Sequence, residues 1–258
     1  MFGTASLGSR ATLRESRAIL RSALSHGFRR FDTAPLYGAG FAERLIGELA
    51  GEPIRVSTKF GGIAPPALRF LAVRLLRSQN PRDLLALREM LAQWPARQRW
   101  DDVAFANRLV GGSASKLASC AKEYLFVHSP QSFPGADRAA SLASVASRFG
   151  FVLGVCGPPV HELARWLESL PPQGCVQLHF DVLSQLDDAS MQLLASRPVW
   201  VHGLYSPSAH ATIREVTQRE SLVRGWTRDL PSFAVVLATT RVDGVERVAA
   251  FARSLEER

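Results

Sequence analysis

Short apolar runs alternate with amphipathic segments along the 258-residue chain. Eight of these runs have the length and apolar character of buried strands, and they span residues 2–6, 30–33, 54–58, 124–127, 151–155, 175–180, 199–204 and 234–239. Buried strands that alternate with helical segments are typical of a parallel sheet with covering helices, and eight such units close into a barrel. The sequence therefore predicts an α/β protein with one domain over residues 1–258, a single (β/α)8 TIM barrel.

Between these runs, apolar residues recur at the three- and four-residue spacing of a helix with one buried face. The predicted helices span residues 12–25, 42–49, 113–121, 136–148, 159–170, 189–195 and 242–255, with a shorter pattern at 211–219. About 65 residues separate the third and fourth strands, which is more than one crossover helix requires. We expect a helical insertion at approximately residues 62–112, and both a lid and a packing element are open interpretations of it.

The chain is basic, with a formal net charge of +8, but its basic residues are dispersed. No run of basic residues interleaved with aromatic side chains is present, so we expect no nucleic-acid partner. A small phosphate-bearing molecule would suit the same charge. A basic nucleic-acid-binding protein is kept as an alternative hypothesis. It predicts binding to oligonucleotides that depends steeply on salt concentration.

Three isolated cysteines, Cys120, Cys156 and Cys175, lack the spacing of metal ligands or of a disulfide framework. We therefore expect no metal site. The first residues contain no charged segment followed by an apolar stretch, so we expect a cytoplasmic protein with no membrane partner. The oligomeric state is not indicated by the sequence.

Ionisable side chains stand at or just after the ends of three consecutive predicted strands. Asp32 ends the second strand and Tyr37 follows five residues later, Lys59 follows the third strand, and His128 follows the fourth. In a parallel barrel the carboxyl ends of the strands meet at one face, where the active sites of such proteins lie. We expect these four side chains to meet at one mouth of the barrel.

The four residue types are suited to acid–base chemistry at a tyrosine. A free phenol has a pKa near 10 and transfers protons poorly at neutral pH. A neighbouring ammonium would lower that pKa, and a buried carboxylate would keep the ammonium charged. Lys59 and Asp32 could supply this pair. A neutral His128 could orient a substrate oxygen toward Tyr37.

These residues lie in segments that resemble the aldo-keto reductase family. Residues 27–38, GFRRFDTAPLYG, with Glu43 and residues 45–47 resemble the first signature of the family, residues 57–61, STKFG, its lysine motif, and residues 124–130, YLFVHSP, its histidine motif. The resemblance implies a catalytic tetrad and NADP(H)-dependent reduction of an aldehyde, ketone or sugar-like carbonyl compound. The tetrad would comprise Tyr37, Asp32, Lys59 and His128.

The same resemblance implies a set of cofactor-binding residues: Thr4, Asp32, Gln177, Tyr205, Thr239, Thr240 and Arg241. Gln177 matches the family's carboxamide-binding glutamine, and Tyr205 matches the aromatic residue that stacks on the nicotinamide. Thr239, Thr240 and Arg241 precede the last helix, where hydroxyl, backbone and guanidinium donors can bind the 2′-phosphate of NADPH.

Four positions depart from the family pattern. Cys156 and Gly157 replace a serine–asparagine pair that often contacts the carboxamide, and Arg247 and Val248 stand where glutamate and asparagine often bind adenine. An alternative hypothesis follows: a regulatory or scaffold protein that has the barrel and binds NADP(H) but turns over little substrate.

Overall fold

The computed structural model describes residues 1–61, 103–128, 136–206 and 211–256. Eight parallel strands form one sheet whose spatial order is the chain order. The strands are β1 (Phe2–Gly3), β2 (Arg30–Asp32), β3 (Arg55–Phe60), β4 (Ala121–His128), β5 (Val152–Cys156), β6 (Val176–His179), β7 (Val199–His202) and β8 (Phe233–Val235). All eight predicted strands are present, with ends shifted by a few residues.

The sheet closes on itself between its first and last strands. Phe2 forms a parallel bridge with Leu237, just beyond β8. The Gly3 amide donates to the Leu237 carbonyl at 2.8 Å, and the Leu237 amide donates to the Met1 carbonyl at 3.1 Å. Closure of eight parallel strands confirms the predicted (β/α)8 barrel.

Helices connect and cover the strands in the described ranges. They are α1 (Leu13–Ser25), α2 (Phe41–Gly47), α3 (Val103–Lys116), α4 (Ala139–Arg148), α5 (Leu163–Ser169), α6 (Phe180–Leu183), α7 (Asp188–Ala195), α8 (Val216–Asp229) and α9 (Asp243–Glu256). Short 3-10 turns span Tyr37–Gly40, Ala136–Arg138 and Val160–Glu162. Thr12 caps α1 and forms a capping box with Glu15, which fixes where this helix begins.

Two predicted helices have the wrong bounds. The prediction at residues 113–121 extended a helix into β4, whereas α3 ends at Lys116 and its buried face comprises Ala106, Val110 and Ser113. The prediction at 211–219 ended where α8 is still in its first turns, because the buried face of α8 begins with an arginine, Arg219. A pattern based on apolar residues does not detect such a face.

The predicted insertion lies mainly outside the described residues. Residues 62–102, with Phe70, Trp94 and Trp100, fall there, so the lid and packing interpretations stay predictions. Residues 103–112 of the predicted insertion form the first part of α3, which covers β3 and packs against α4.

A buried glutamate joins three elements beside the barrel mouth. The Glu43 carboxylate on α2 accepts a hydrogen bond from the Thr58 hydroxyl of β3 at 2.8 Å and one from Lys116 of α3 at 2.7 Å. Glu43 is fully buried, so its charge requires these partners. The network fixes the position of α2, which directly follows the Tyr37 turn. None of the helices in the described ranges is long and apolar enough to cross a membrane.

Candidate active site

A cavity of about 620 Å³ lies at the carboxyl ends of the strands. The four side chains that were predicted to meet at the barrel mouth all line this cavity, and so does Gln177. These residues are Asp32, Tyr37, Lys59, His128 and Gln177. A second cavity, of about 690 Å³, is lined by residues such as Phe28, Arg30 and Val235 at the opposite end of the barrel and by none of these five. The mouth cavity is therefore the candidate site.

Lys59 and Asp32 form a buried ion pair at the floor of this cavity. Lys59 Nζ donates to Asp32 Oδ1 at 2.5 Å and to the Thr33 carbonyl at 3.3 Å. The side chains of Lys59 and Asp32 are 2% and 5% exposed. Burial alone would lower the pKa of Lys59, but the combined effects of Asp32, Tyr37 and Cys156, of which Asp32 is the largest, raise that pKa above its usual range. Lys59 is therefore a permanent cation in the site.

Tyr37 lies beside this cation. Lys59 Nζ is 5.5 Å from the centroid of the Tyr37 ring. Burial raises the pKa of Tyr37 to about 12, although the charge of Lys59 acts to lower it. The charge of Lys59 acts on the pKa of Tyr37 in the predicted direction. The predicted net lowering of that pKa is wrong, because removal from water destabilises the phenolate more than the charge of Lys59 stabilises it. Tyr37 is thus protonated at neutral pH.

A left-handed backbone turn holds Tyr37 in place. Gly38, Ala39 and Gly40 have φ angles of 55°, 57° and 88°. A Cβ on Gly38 would lie 2.3 Å from the Leu7 carbonyl oxygen, so only glycine permits this contact with the loop after β1. Ala39 adopts the same left-handed backbone conformation although it has a Cβ, so its backbone is strained. The packing around the turn must offset this strain.

His128 ends β4 and faces the same cavity. Burial, reinforced by the charge of Lys59, lowers the pKa of His128 to about 3, so its imidazole is neutral. Gly61, two residues beyond Lys59, has φ 117°, and a Cβ there would lie 2.7 Å from the His128 carbonyl oxygen. The glycine of the STKFG segment therefore allows the ends of β3 and β4 to approach each other closely.

Gln177 on β6 has an unused hydrogen-bond acceptor. Its side chain is buried, it lines the cavity, and Oε1 has no hydrogen-bond partner in the described part of the chain. A buried amide oxygen without a donor is costly, so such an atom indicates a missing partner. The NH2 group of a nicotinamide carboxamide is a donor of the required kind. This end of the cavity fits NADP(H).

Two other predicted cofactor residues have partners within the protein. The hydroxyl of Thr4, fully buried, donates to the Asp32 carbonyl at 3.0 Å and so supports the backbone of Asp32. The hydroxyl of Tyr205 donates to Glu220 at 2.8 Å, and its ring packs edge-on against Phe251. Neither Thr4 nor Tyr205 is part of the cavity wall.

The predicted phosphate-binding residues lie at the start of α9. The Thr239 hydroxyl accepts a hydrogen bond from the Arg241 amide at 3.2 Å, and Thr240 is exposed. Arg241 is paired in bidentate fashion with Asp243, at 3.0 and 2.7 Å. The guanidinium and the helix start suit a phosphate, but the Asp243 carboxylate competes for the same donors.

The four departures from the family pattern have distinct surroundings. Cys156 and Gly157 line the cavity, and Cys156 pairs in register with both His128 and Gln177. Burial raises the pKa of Cys156 to about 12, so it is a neutral thiol. The Arg247 guanidinium lies 5.5 Å from the Tyr205 ring centroid, and Val248 is buried in the core.

Two histidines in the cavity wall are absent from the sequence prediction. His179 ends β6 and His202 ends β7, and both line the cavity. The signal was available, since the same strand-end rule that selected Lys59 and His128 also selects these residues. The described residues contain no cluster of histidine, cysteine and acidic side chains suited to a metal ion.

Comparison with known proteins gives a family match over part of the chain and several structures that share the fold. The model of the aldo/keto reductase family matches residues 1–82. A search of curated proteins gives no match. The fold is similar to that of an aldo-keto reductase from Bacillus halodurans, with a TM-score of 0.69 at 15% identity, covering 97% of this chain and 85% of that one.

Two further solved structures share the fold. A glycerol dehydrogenase from Gluconobacter oxydans has a TM-score of 0.62 at 15% identity, covering 99% of this chain and 89% of that one. An aldo-keto reductase from Klebsiella pneumoniae, solved in complex with NADPH, has a TM-score of 0.59 at 16% identity, covering 98% and 84%. The family match and the shared fold confirm the resemblance of this chain to the aldo-keto reductase family.

Proposed function

We propose that the protein is an NADP(H)-dependent oxidoreductase that reduces an aldehyde or ketone to an alcohol, reversibly. The observation that carries this proposal is the buried Lys59–Asp32 pair beside the protonated Tyr37, in one cavity with a neutral His128. A protonated phenol next to a fixed cation is a proton donor whose conjugate base is stabilised as it forms.

Each of the four side chains has a role in this proposal. Tyr37 gives its proton to the carbonyl oxygen, and Lys59 stabilises the negative charge that the phenol then develops. Asp32 keeps Lys59 charged and in place through the 2.5 Å hydrogen bond. His128, as a neutral imidazole, hydrogen-bonds the substrate oxygen and orients it toward Tyr37. When bound, NADPH supplies the hydride that reduces the carbonyl carbon.

The cofactor assignment rests on observations at the two ends of its proposed site. Among the described residues, nothing donates to the buried Gln177 Oε1, which is thus available as an acceptor for the carboxamide. Thr239, Thr240 and Arg241 surround the start of α9, where a 2′-phosphate would bind. Solved structures with this fold include aldo-keto reductases from Klebsiella pneumoniae in complex with NADPH and with NADP. Tyr205 would stack on the nicotinamide only after leaving its contact with Glu220.

The second candidate is a protein that binds NADP(H) without useful turnover. The replacement of polar residues by Cys156 and Gly157 in the cavity wall favours it. Titration with NADPH, followed by addition of small aldehydes while the absorbance of the reduced nicotinamide is monitored, separates the two. The enzyme consumes NADPH in proportion to the aldehyde. Binding of NADPH with no aldehyde-dependent consumption would instead identify the scaffold.

A further inference from the structure

Lys116 lies outside the wall of the mouth cavity but is linked to the elements that form it. It ends α3, and its side chain is 31% exposed. Its Nζ donates to Oε2 of Glu43 on α2 at 2.7 Å. Within the described ranges, Lys116 is the only cation that pairs with Glu43, whose side chain is fully buried. The buried charge of Glu43 is therefore compensated by one partly exposed lysine.

The Glu43 carboxylate also reaches the strand that carries Lys59. Its Oε1 accepts a hydrogen bond from the hydroxyl of Thr58 at 2.8 Å. Thr58 is fully buried in β3 and directly precedes Lys59. One carboxylate therefore joins α2 to β3 next to the ammonium that lies beside Tyr37.

The ammonium of Lys116 lies against the turn that holds Tyr37. A Cβ on Gly40, the last residue of this turn, would be 3.6 Å from Lys116 Nζ. Gly40 has φ 88° and precedes α2 without a side-chain cap. Lys116 thus contacts the point where the turn passes into the helix, and Tyr37 is the first residue of the same turn.

The other end of α2 is held by different atoms. A Cβ on Gly47, the last residue of α2, would collide with the Lys116 carbonyl oxygen. The Ser119 hydroxyl donates to the Gly47 carbonyl at 3.1 Å. These contacts do not involve the ammonium. Removal of the Lys116 charge would therefore loosen the end of α2 that borders the Tyr37 turn and leave the other end docked.

We propose that Lys116 is a positioning residue for the proton donor. Through Glu43 and Gly40, its ammonium holds the Tyr37 turn against β3 and so sets where Tyr37 stands relative to Lys59. The inference rests on the proposed reduction at Tyr37. Misplacement of a reacting group by about 1 Å can lower a rate by about a hundredfold, so a modest shift of this turn would slow the reaction.

The first test is a single-turnover measurement of NADPH oxidation with an aldehyde, at saturating NADPH. Lys116→Met keeps a long side chain and removes the charge. It should lower the rate by about tenfold and change NADPH affinity less than about twofold. Lys116→Arg, which keeps a cation, should retain most of the rate. The control, Arg165→Met, breaks an exposed ion pair with Asp137 outside the cavity wall and should leave the rate unchanged.

A background without the phenol distinguishes positioning from a general loss of stability. In the Tyr37→Phe variant, Lys116→Met should change the remaining rate less than about twofold, because the residue that it positions no longer gives a proton. Destabilisation of the whole barrel would instead lower the rate by the same factor in both backgrounds. If Lys116→Met does not fold, the comparison is made with Lys116→Met combined with Glu43→Gln, which leaves no buried charge unpaired and should show the same dependence on Tyr37.

Three results would overturn the inference while the proposed reduction stands. They are a wild-type rate in Lys116→Met or in the variant combined with Glu43→Gln, a rate in Lys116→Arg as low as in Lys116→Met, and an equal loss of rate in the Tyr37→Phe background. A wild-type rate in Tyr37→Phe alone would instead overturn the proposed role of Tyr37, and this inference with it.

Discussion

Lys59 Nζ lies 2.5 Å from Asp32 Oδ1 at the floor of the barrel mouth, and both side chains are almost completely buried. Burial is the largest single influence on the pKa of Lys59, and it opposes the charge. Asp32 is the largest of the influences that raise this pKa and keep the ammonium charged. This dependence makes the two residues one unit.

The first prediction tests that unit. Lys59→Met should lower the rate of carbonyl reduction by about a hundredfold or more, within the usual range for acid–base assistance. Asp32→Asn should cost less, because the ammonium is loosened but not deleted. The double variant should be little worse than Lys59→Met alone. Single-turnover rates check this, and losses that multiply in the double variant would show that the two residues act independently.

The second prediction concerns pH. The proposed mechanism of reduction requires Tyr37 to be protonated and His128 to be neutral. The pKa of Tyr37 is raised to about 12 and that of His128 is lowered to about 3, so both conditions hold between about pH 5 and pH 10. The account predicts a flat profile of kcat/KM for reduction in this range, with a fall at higher pH as Tyr37 loses its proton. An activity loss centred near pH 7 would contradict it.

The third prediction concerns the close approach of β3 and β4. Gly61→Ala places a Cβ 2.7 Å from the His128 carbonyl oxygen at φ 117°, so it should lower the free energy of unfolding by about 1–3 kcal/mol. It should also reduce activity by displacing His128. The control, Gly112→Ala on α3, has open space around its Cβ and should preserve or slightly raise stability. Denaturant unfolding curves compare the two, and equal effects would refute the strain argument.

The fourth prediction concerns the choice between NADPH and NADH. Arg241→Ala should weaken NADPH binding about fivefold, because an exposed guanidinium contributes modestly. Asp243→Asn should strengthen NADPH binding, since it removes the carboxylate that competes for Arg241. NADH binding should change little in both variants. Fluorescence titrations measure these affinities. Equal changes in the affinities for NADPH and NADH would show that Arg241 and Asp243 do not lie at the 2′-phosphate site.

The barrel and the positions of its strand-end residues could be predicted because both depend on local pattern. Apolar runs mark the strands, and parallel strands necessarily bring Asp32, Lys59 and His128 to one face. The prediction of helix bounds was wrong where a polar residue is part of the buried face, as Arg219 is in α8. Apolar periodicity does not show that a charged side chain is buried in a network of carbonyl groups.

The site was harder to predict where several residues act together. The net rise in the pKa of Tyr37 follows from burial, which depends on the whole cavity and not on the motif. The motifs also do not predict which side chains pair with each other. Tyr205 hydrogen-bonds to Glu220, and Arg241 forms an ion pair with Asp243. His179 and His202 followed the strand-end rule, but no motif directed attention to them.

The most direct measurement of the central claim is a single-turnover experiment on Tyr37→Phe with NADPH and an aldehyde. The substitution keeps the aromatic ring against Lys59 and removes the hydroxyl group that carries the transferable proton. The account predicts unchanged NADPH affinity, an unchanged fold, and a rate of NADPH oxidation at least about a hundredfold below that of the wild-type protein. Oxidation of NADPH by the variant at the wild-type rate would show that Tyr37 is not the proton donor.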